Sequence, residues 1–304
     1  MSSATVLYIN ITGVTSEILK NLILAGIKAA IADARPIGAL KSTPTSFLPP
    51  GDRQNLTEPD AKRAKVTVAQ RMQDPVLELN PLLESCEICE DDVDSIADSY
   101  FSKFDIVIAS NIGLEQAKRI AKATTESGNK FFCVQSFGLY ACALMDLGPD
   151  HSFRKEMGKD KLSDVMKNAS YLDLYGMMNV KLCDAIDRFH KSGPPQIYTK
   201  YRAILNYYDE KKAWPGEHCD EFVGMTKSFL KDQGLEESYL GSDDDLKNLA
   251  EISNAEISPV CAVMGGILGN EVIKAISGKG EPANNILMFD GLDGGCKSFL
   301  LKSK

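Results

Sequence analysis

A turn whose residue types suit phosphate binding lies near the start of the chain. It runs from Asn10 to Ser16 and contains one glycine, Gly13, while an acid, Asp33, follows the next apolar segment. In a nucleotide-binding turn, glycines let backbone N–H groups approach phosphate oxygens, and an acid after the second strand binds a ribose hydroxyl. A complete G-x-G-x-x-G turn has three glycines. The sequence therefore predicts a retained scaffold with a degenerate phosphate cradle.

The elements around this turn alternate between strand and helix. Residues 6–9 form an apolar strand, and the segment after the turn has apolar residues at helical spacing and ends at Gly26. Residues 104–109 and 131–134 have the composition of buried strands, separated by a helical pattern over 114–127. Such alternation favours right-handed crossovers between parallel strands. We expect an α/β fold with a mainly parallel sheet covered by helices on both faces.

The composition argues against nucleic acid and membrane as partners. Of the 304 residues, 44% are hydrophobic and 25% charged, with a net charge of -8. Non-specific nucleic-acid binding depends on clustered Lys and Arg, and only residues 41–65 are locally basic. No apolar run approaches the roughly 20 residues that span a bilayer, and no signal pattern is visible. Eight cysteines without an export signal favour a reducing compartment, the cytosol or nucleus.

Two groups of residues have metal-like spacing, and we interpret both as structural. Cys86 and Cys89 form a C-x-x-C pair without the second pair that a four-ligand zinc site needs. The other group lies on a predicted helix at 173–191 and in the segment after it. Helical spacing alone brings such side chains to one solvated face, which is the simpler interpretation. The members of this group are Asp184, Asp187, His190, His218 and Cys219.

Composition along the chain divides it into three regions. Residues 1–148 carry the strand and helix alternation, residues 149–255 predict a helical insertion because they are charged and lack apolar strand runs, and residues 256–304 return to the first fold. Three weaker elements are expected in the first region. They are a long connection at 34–59, a helix at 60–73 and a strand at 82–90.

A second sharply patterned stretch lies near the end of the chain. Residues 258–275 predict a helix that opens with Pro259, at a position where the missing N–H costs little. Strands are expected at 286–289 and 299–301. The helix also has a set of small residues that would let another backbone approach closely. These are Ala262, Gly265, Gly266 and Gly269.

The residues of this stretch resemble a known family. Residues 258–275, together with Asn284-Asn285 and Phe289-Asp290-Gly291, resemble the C-terminal part of the non-catalytic (Aos1-like) subunit of the SUMO-activating enzyme. Residues 17–27 are similar to the first helix of the same subunits. The resemblance covers about the first 140 and the last 50 residues. It places the chain in the ubiquitin-activating enzyme/ThiF-like superfamily and implies a Rossmann-like adenylation fold.

The resemblance implies a regulatory subunit in a heterodimer with a catalytic (Uba2-like) subunit, present in nucleus and cytoplasm. The partner would bind ATP and magnesium, adenylate a SUMO-like modifier and form its thioester, while this chain would hold no cofactor and not be catalytic itself. Partner contacts would come from the second patterned stretch. The expected contact residues are Pro259, Gly265, Gly266 and Glu271.

Three departures from active adenylation halves support the non-catalytic assignment. Asn10 and Thr15 stand where two cradle glycines belong, Ile112 stands where an aspartate holds magnesium, and Arg63 replaces a lysine that reaches phosphate. Magnesium needs hard oxygen ligands, and phosphates need close N–H groups. Such subunits usually begin with a helix whose arginine reaches the partner's ATP. Because three residues precede the first strand here, we name no such arginine.

Three other functions stay open on sequence grounds. The regulatory subunit of the cullin-modifier (NEDD8-type) activating enzyme has a similar glycine-poor opening but a much longer chain. A stand-alone ThiF-like adenylyltransferase would need its own ATP site. A nicotinamide dehydrogenase would use Asp33 for the ribose, but the turn lacks two glycines and the chain lacks a Tyr-x-x-x-Lys pair.

Overall fold

The computed structural model describes residues 4–37, 66–158, 161–186, 193–216 and 218–302. Ten strands are formed in these ranges. They are β1 (Thr5–Ile9), β2 (Lys28–Ala32), β3 (Glu87–Cys89), β4 (Ile106–Ser110), β5 (Lys130–Phe137), β6 (Tyr140–Asp146), β7 (His151–Glu156), β8 (Leu162–Ala169), β9 (Ile286–Asp290) and β10 (Gly295–Phe299).

Eight of these strands form one central sheet in the order β10-β9-β6-β5-β4-β1-β2-β3. Strands β1 to β5 are parallel, and β6, β9 and β10 continue the sheet with antiparallel pairs. All five residues of β4 are buried, as a strand covered on both faces requires. The predicted α/β fold with a mainly parallel sheet is confirmed.

Helices cover both faces of this sheet and bury two apolar clusters against it. One face carries α1 (Gly13–Leu24), α2 (Val68–Leu79) and α9 (Ser258–Ser277). The other face carries α3 (Asp98–Phe101), α4 (Leu114–Thr125), α5 (Leu174–Asn179), α6 (Gln196–Lys211), α7 (Cys219–Asp232) and α8 (Asp243–Ile252). The helices between residues 174 and 252 thus cover one face of the same sheet as the rest of the chain.

The predicted close packing is confirmed for Gly265 and Gly269, which face α1, whereas Ala262 and Gly266 of the same predicted face are exposed. A Cβ placed on Gly265 would lie 2.5 Å from Cβ of Glu17, and one on Gly269 would lie 3.4 Å from Cβ of Asn21. These two glycines are one helical turn apart, so they line the same side of α9. The glycines let the backbones of α1 and α9 approach more closely than any larger side chain would allow.

The region at 149–255 differs from the predicted helical insertion, because it opens with the β7–β8 hairpin. The expectation missed these strands because β8 is largely exposed, so its sequence has no apolar run. The predicted helix at 173–191 is also wrong. Helix α5 ends at Asn179, because Val180 and Lys181 take extended backbone conformations before a short 3-10 turn, Leu182–Asp184. The boundaries at 148 and 256 stay a prediction.

Two smaller differences concern element ends. Helix α2 continues through Pro75 to Leu79, whereas the prediction ended it at 73; its predicted start at 60–65 lies outside the described residues. Strand β10 ends at Phe299, where the predicted strand began. The connection expected at 34–59 lies almost entirely outside the described residues.

Helix α9 is also relevant to the predicted absence of a membrane-spanning run. Among the described helices, it is the one that is long and apolar enough to cross a membrane, by length and composition. This corrects the expectation that no apolar run approaches that length. Half of the apolar window is buried inside the fold, where Met264 and Leu268 pack in the core on the α1 side of the sheet. Core helices of globular proteins meet the same criterion.

Candidate functional site: a closed anion-binding turn

The turn between β1 and α1 lies at the carboxyl end of the parallel strands, where ligands bind in open α/β sheets. Four consecutive backbone N–H groups in this turn already have acceptors within the chain. The N–H of Asn10 donates to the carbonyl of Ala32 at 3.0 Å, and that of Thr12 donates to Oγ1 of Thr15 at 2.7 Å. The N–H of Ile11 donates to the carboxylate of Asp33 at 2.8 Å, and that of Gly13 donates to the carboxylate of Glu256 at 2.9 Å. No phosphate oxygen could reach these donors without displacing an existing hydrogen bond.

The first carboxylate belongs to Asp33, the residue expected to bind ribose. Its side chain is fully buried, and Oδ2 accepts from the N–H of Ile11 at 2.8 Å. The guanidinium of Arg35 donates to both carboxylate oxygens, with Nε 2.9 Å from Oδ1 and Nη2 2.7 Å from Oδ2. Burial alone would lower the pKa of Arg35, but the hydrogen bond and charge of Asp33 raise it overall. Asp33 therefore stabilises the turn through these hydrogen bonds, and its carboxylate is not open to a ligand.

The second carboxylate belongs to Glu256, which precedes α9 in the chain. Both of its oxygens lie 2.9 Å from the backbone nitrogen of Gly13, the first residue of α1. The hydroxyl of Ser136, in β5, donates to the same carboxylate at 3.2 Å. Burial raises the pKa of Glu256, whereas the Gly13 and Ser136 hydrogen bonds and the charge of Arg35 oppose the rise. A carboxylate at a helix N-terminus satisfies a free N–H and matches the positive end of the helix dipole.

The two residues in place of cradle glycines have structural roles. Asn10 keeps a left-handed backbone (φ 60°), and its side-chain amide donates to the carbonyls of Ser110 and Asn111 at 3.1 and 3.2 Å. These bonds tie the end of β1 to the end of β4. Thr15 is fully buried and forms a reciprocal cap with Thr12. Both side chains fill the volume that glycines would leave open.

The two groups with metal-like spacing, which the sequence analysis interprets as structural, form no three-ligand cluster in the described part of the chain. Ile112 is buried and offers no ligand, and no group of three His, Cys, Asp or Glu that could hold a metal ion is present among the described residues. Cys86 is a free thiol whose pKa is raised by burial to about 12. Arg63, Asp187 and His190 lie outside the described residues.

The four predicted partner-contact residues separate into two pairs. Pro259 and Gly266 are exposed on α9. Gly265 faces α1, and Glu271 is 6% exposed, accepting from the N–H of Ala283 at 2.7 Å and pairing with Lys274. Gly265 and Glu271 therefore hold the fold together and are unavailable to another chain.

Three residues of this site were missed by the sequence analysis, namely Arg35, Ser136 and Glu256. Arg35 carried a usable signal, because it follows Asp33 by two residues and is the nearest cation to it in sequence. Glu256 stands directly before the stretch that carries the family resemblance, but nothing in sequence links it to Gly13, 243 residues away. Ser136 has no distinguishing pattern at all.

A mainly parallel sheet with an anion-binding turn after its first central strand defines a nucleotide-binding class of fold, here with the turn closed. The sequence profile of the ThiF family matches residues 51–304, and the chain belongs to that family. Its Rossmann-like adenylation fold is thereby confirmed.

The chain is similar to several proteins with one name. It is 26% identical over 319 residues to SUMO-activating enzyme subunit 1 of Danio rerio, covering 97% of this chain and 87% of that protein. The human protein of the same name is 26% identical over 321 residues, with 97% and 88% covered. Subunit 1A of Arabidopsis thaliana is 24% identical over 304 residues, with 97% and 87% covered. The resemblance seen in the sequence is confirmed.

Proposed function

We propose that this chain is the regulatory, non-catalytic subunit of a heterodimeric SUMO-activating enzyme. A catalytic (Uba2-like) partner would bind ATP and magnesium, adenylate the modifier and carry its thioester. The observation that carries the proposal is the closed turn, in which Asn10 to Gly13 have no free N–H group. The similarity to proteins named as subunit 1 of this enzyme supports the choice of modifier.

The closed turn supports a non-catalytic role because ATP would meet two carboxylates there. The phosphate cradles of nucleotide-binding folds use free backbone N–H groups. Here Asp33 and Glu256 hold two of those groups, and both side chains repel a phosphate as like charges. An adenylation step in this chain would need both carboxylates to leave before a nucleotide could enter.

The cysteines also support this role. All eight are free thiols, and burial raises the pKa of six of them. The nucleophile in thioester formation is the thiolate, which a raised pKa makes scarce near neutral pH. Cys133, for example, has its pKa raised to about 11. These six thiols are poor candidates for the transfer cysteine.

We place the partner-binding surface on the outer side of α9. Along this side Pro259, Ala262, Val263 and Gly266 are exposed, and Val263 is 43% accessible. Three exposed apolar residues near the N-terminal end of α9 enlarge this proposed surface. They are Ile257, Leu139 and Leu292, brought together by hydrogen bonds from Gly138 to Ala255 and from Gly291 to Leu139, both 2.8 Å. Exposed apolar residues grouped in this way suit a protein partner.

The proposal is tested by co-expression with the catalytic subunit from the same organism. We expect co-purification and ATP-dependent, thiol-sensitive thioester formation with SUMO in the assembled enzyme. Thioester formation with a NEDD8-type modifier instead would assign the chain to the cullin-modifier enzyme. ATP–pyrophosphate exchange by this chain alone would overturn the non-catalytic role and support a stand-alone adenylyltransferase.

The proposed surface is tested by Gly266→Trp, with Gly224→Trp as matched control. Both glycines are exposed on helices, and an added Cβ meets no atom within 4 Å at either one. We expect Gly266→Trp to weaken partner binding about tenfold or more, roughly 1.4 kcal/mol, because the indole would hold the two surfaces apart. The control should bind normally. Equal binding by both variants, with unchanged thermal stability, would place the interface elsewhere.

A further inference from the structure

We propose that Glu256 is an internal replacement for a nucleotide phosphate, which keeps the anion position at the start of α1 permanently filled. This inference goes beyond the proposed function, because it does not depend on which partner or modifier the chain serves. It predicts that the wild-type chain has no free anion site in this turn. It also predicts that removing the carboxylate creates one.

The contacts of Glu256 are those of a bound anion. Its two oxygens share the N–H of Gly13, and a hydroxyl from β5, that of Ser136, completes the contact. Backbone N–H groups and a hydroxyl are the donors that phosphate oxygens find at helix N-termini. The carboxylate comes from a segment 243 residues away in sequence, so it acts as a ligand to the turn and not as a local cap.

A cation beside the turn makes the position suitable for an anion of greater charge. The guanidinium of Arg35 donates to the carbonyl of Ile11 at 2.9 Å and lies close enough to Glu256 for its charge to act on that carboxylate. If Glu256 were absent, the N–H of Gly13, the Ser136 hydroxyl and the Arg35 charge would face an open volume. Asp33 would still pair with Arg35 through both of its oxygens, so Gly13 and Ser136 would supply the direct hydrogen bonds to the anion.

The position of Glu256 has a mechanical consequence for α9. Ala255, the residue just before Glu256, is held at the turn between β5 and β6 by the bond from the N–H of Gly138 to its carbonyl. Helix α9 begins two residues after Glu256. Filling the anion position therefore also docks the start of α9 onto α1 and β5, in the absence of any nucleotide.

The test uses the full chain with Glu256→Ala, and Glu251→Ala as control. Glu251 is an exposed glutamate on α8. Melting temperatures are measured in millimolar inorganic phosphate and in sodium chloride of equal ionic strength. In chloride we expect Glu256→Ala to melt below wild type and the control to match it. Phosphate should raise the melting temperature of Glu256→Ala more than that of either other protein, since phosphate at ten times Kd favours the folded state about elevenfold.

Glu256→Gln keeps the test decisive if the alanine variant does not fold. Glutamine retains an acceptor for Gly13 but loses the negative charge. We expect a smaller drop in melting temperature, with a phosphate response between those of Glu251→Ala and Glu256→Ala. Equal phosphate responses in wild type and the Glu256 variants would overturn the inference, as would variants with unchanged stability and no phosphate response.

The outcome can be separated from that of the proposed function. A phosphate response confined to the Glu256 variants, in a chain that binds no catalytic subunit, would support the filled anion position and reject the subunit assignment. Normal assembly with no such response would do the reverse.

Discussion

Two adjacent glycines of α9, Gly265 and Gly266, should respond in opposite ways to the same substitution. A Cβ on Gly265 would lie 2.5 Å from Cβ of Glu17, 3.2 Å from the carbonyl oxygen of Val14 and 3.3 Å from the carbonyl carbon of Glu17. All three atoms belong to α1 or are fixed to its backbone, so they cannot swing aside. A Cβ on Gly266 meets nothing within 4 Å.

The magnitudes follow from two opposing effects. Replacing a helical glycine by alanine gains about 1 kcal/mol, because glycine is the poorer helix former. Overpacking costs about 1–3 kcal/mol, and the Gly265 site should lie near the upper end because α1 itself must move. We expect Gly265→Ala to lose about 2 kcal/mol and Gly266→Ala to gain about 0.5–1 kcal/mol. The two variants should therefore differ by about 3 kcal/mol, more than a hundredfold in the unfolding equilibrium.

Equilibrium unfolding in urea measures this difference. Far-ultraviolet circular dichroism reports the helices, and the fluorescence of the single tryptophan, Trp214, reports tertiary structure. Coincident transitions and equal denaturant slopes would allow the midpoints to be compared directly. If Gly265→Ala is as stable as wild type, or if the two variants unfold at the same urea concentration, close packing of α9 on α1 does not depend on Gly265.

Three further predictions concern buried charges and a helix cap. Burial and the charge of Lys130 lower the pKa of His151 to about 4. The neutral imidazole therefore contributes its full stability above pH 6.5, and this contribution, at most about 3 kcal/mol, is lost as pH falls through 4. His151→Leu should remove this loss in urea titrations at pH 7 and pH 4.5. Arg35→Met should cost about 2–4 kcal/mol in the same assay, because it leaves the buried Asp33 carboxylate without its cation, and Arg35→Lys should cost less. Asp209 accepts from the N–H of Leu114 at 2.9 Å at the start of α4, so Asp209→Ala should cost about 1 kcal/mol and Asp209→Asn less, by thermal unfolding.

Each of these predictions has an opposing result. A His151→Leu variant that loses as much stability as wild type on acidification would show that another group titrates. Equal losses for methionine and lysine at position 35 would mean that packing, not charge, is the role of Arg35. Equal stability of the alanine and asparagine variants at position 209 would show that this side chain does not stabilise the start of α4 as a cap.

Much of the fold and part of the candidate site could be predicted from sequence, because they depend on local periodicity. The apolar segments at β1, β4 and β5 and the helical spacing of α1 and α4 specify parallel strands joined by helices. The loss of cradle glycines at positions 10 and 15 was visible directly, because only glycine lacks a side chain and these residues are Asn10 and Thr15. The β7–β8 hairpin escaped prediction because its exposed residues carry no burial pattern.

The sequence by itself determined the parallel strands β1, β2, β4 and β5, the last helix α9 and the degeneracy of the phosphate turn, but not strand β6, which joins the parallel strands to β9. Only the tertiary structure decided what fills that turn, because the acceptor for Gly13 is Glu256, and proximity across 243 residues has no sequence signature. It also decided which side of α9 is buried. Helix α9 has apolar and small residues on both sides, so spacing alone could not distinguish Gly265, which packs on α1, from Gly266, which is exposed.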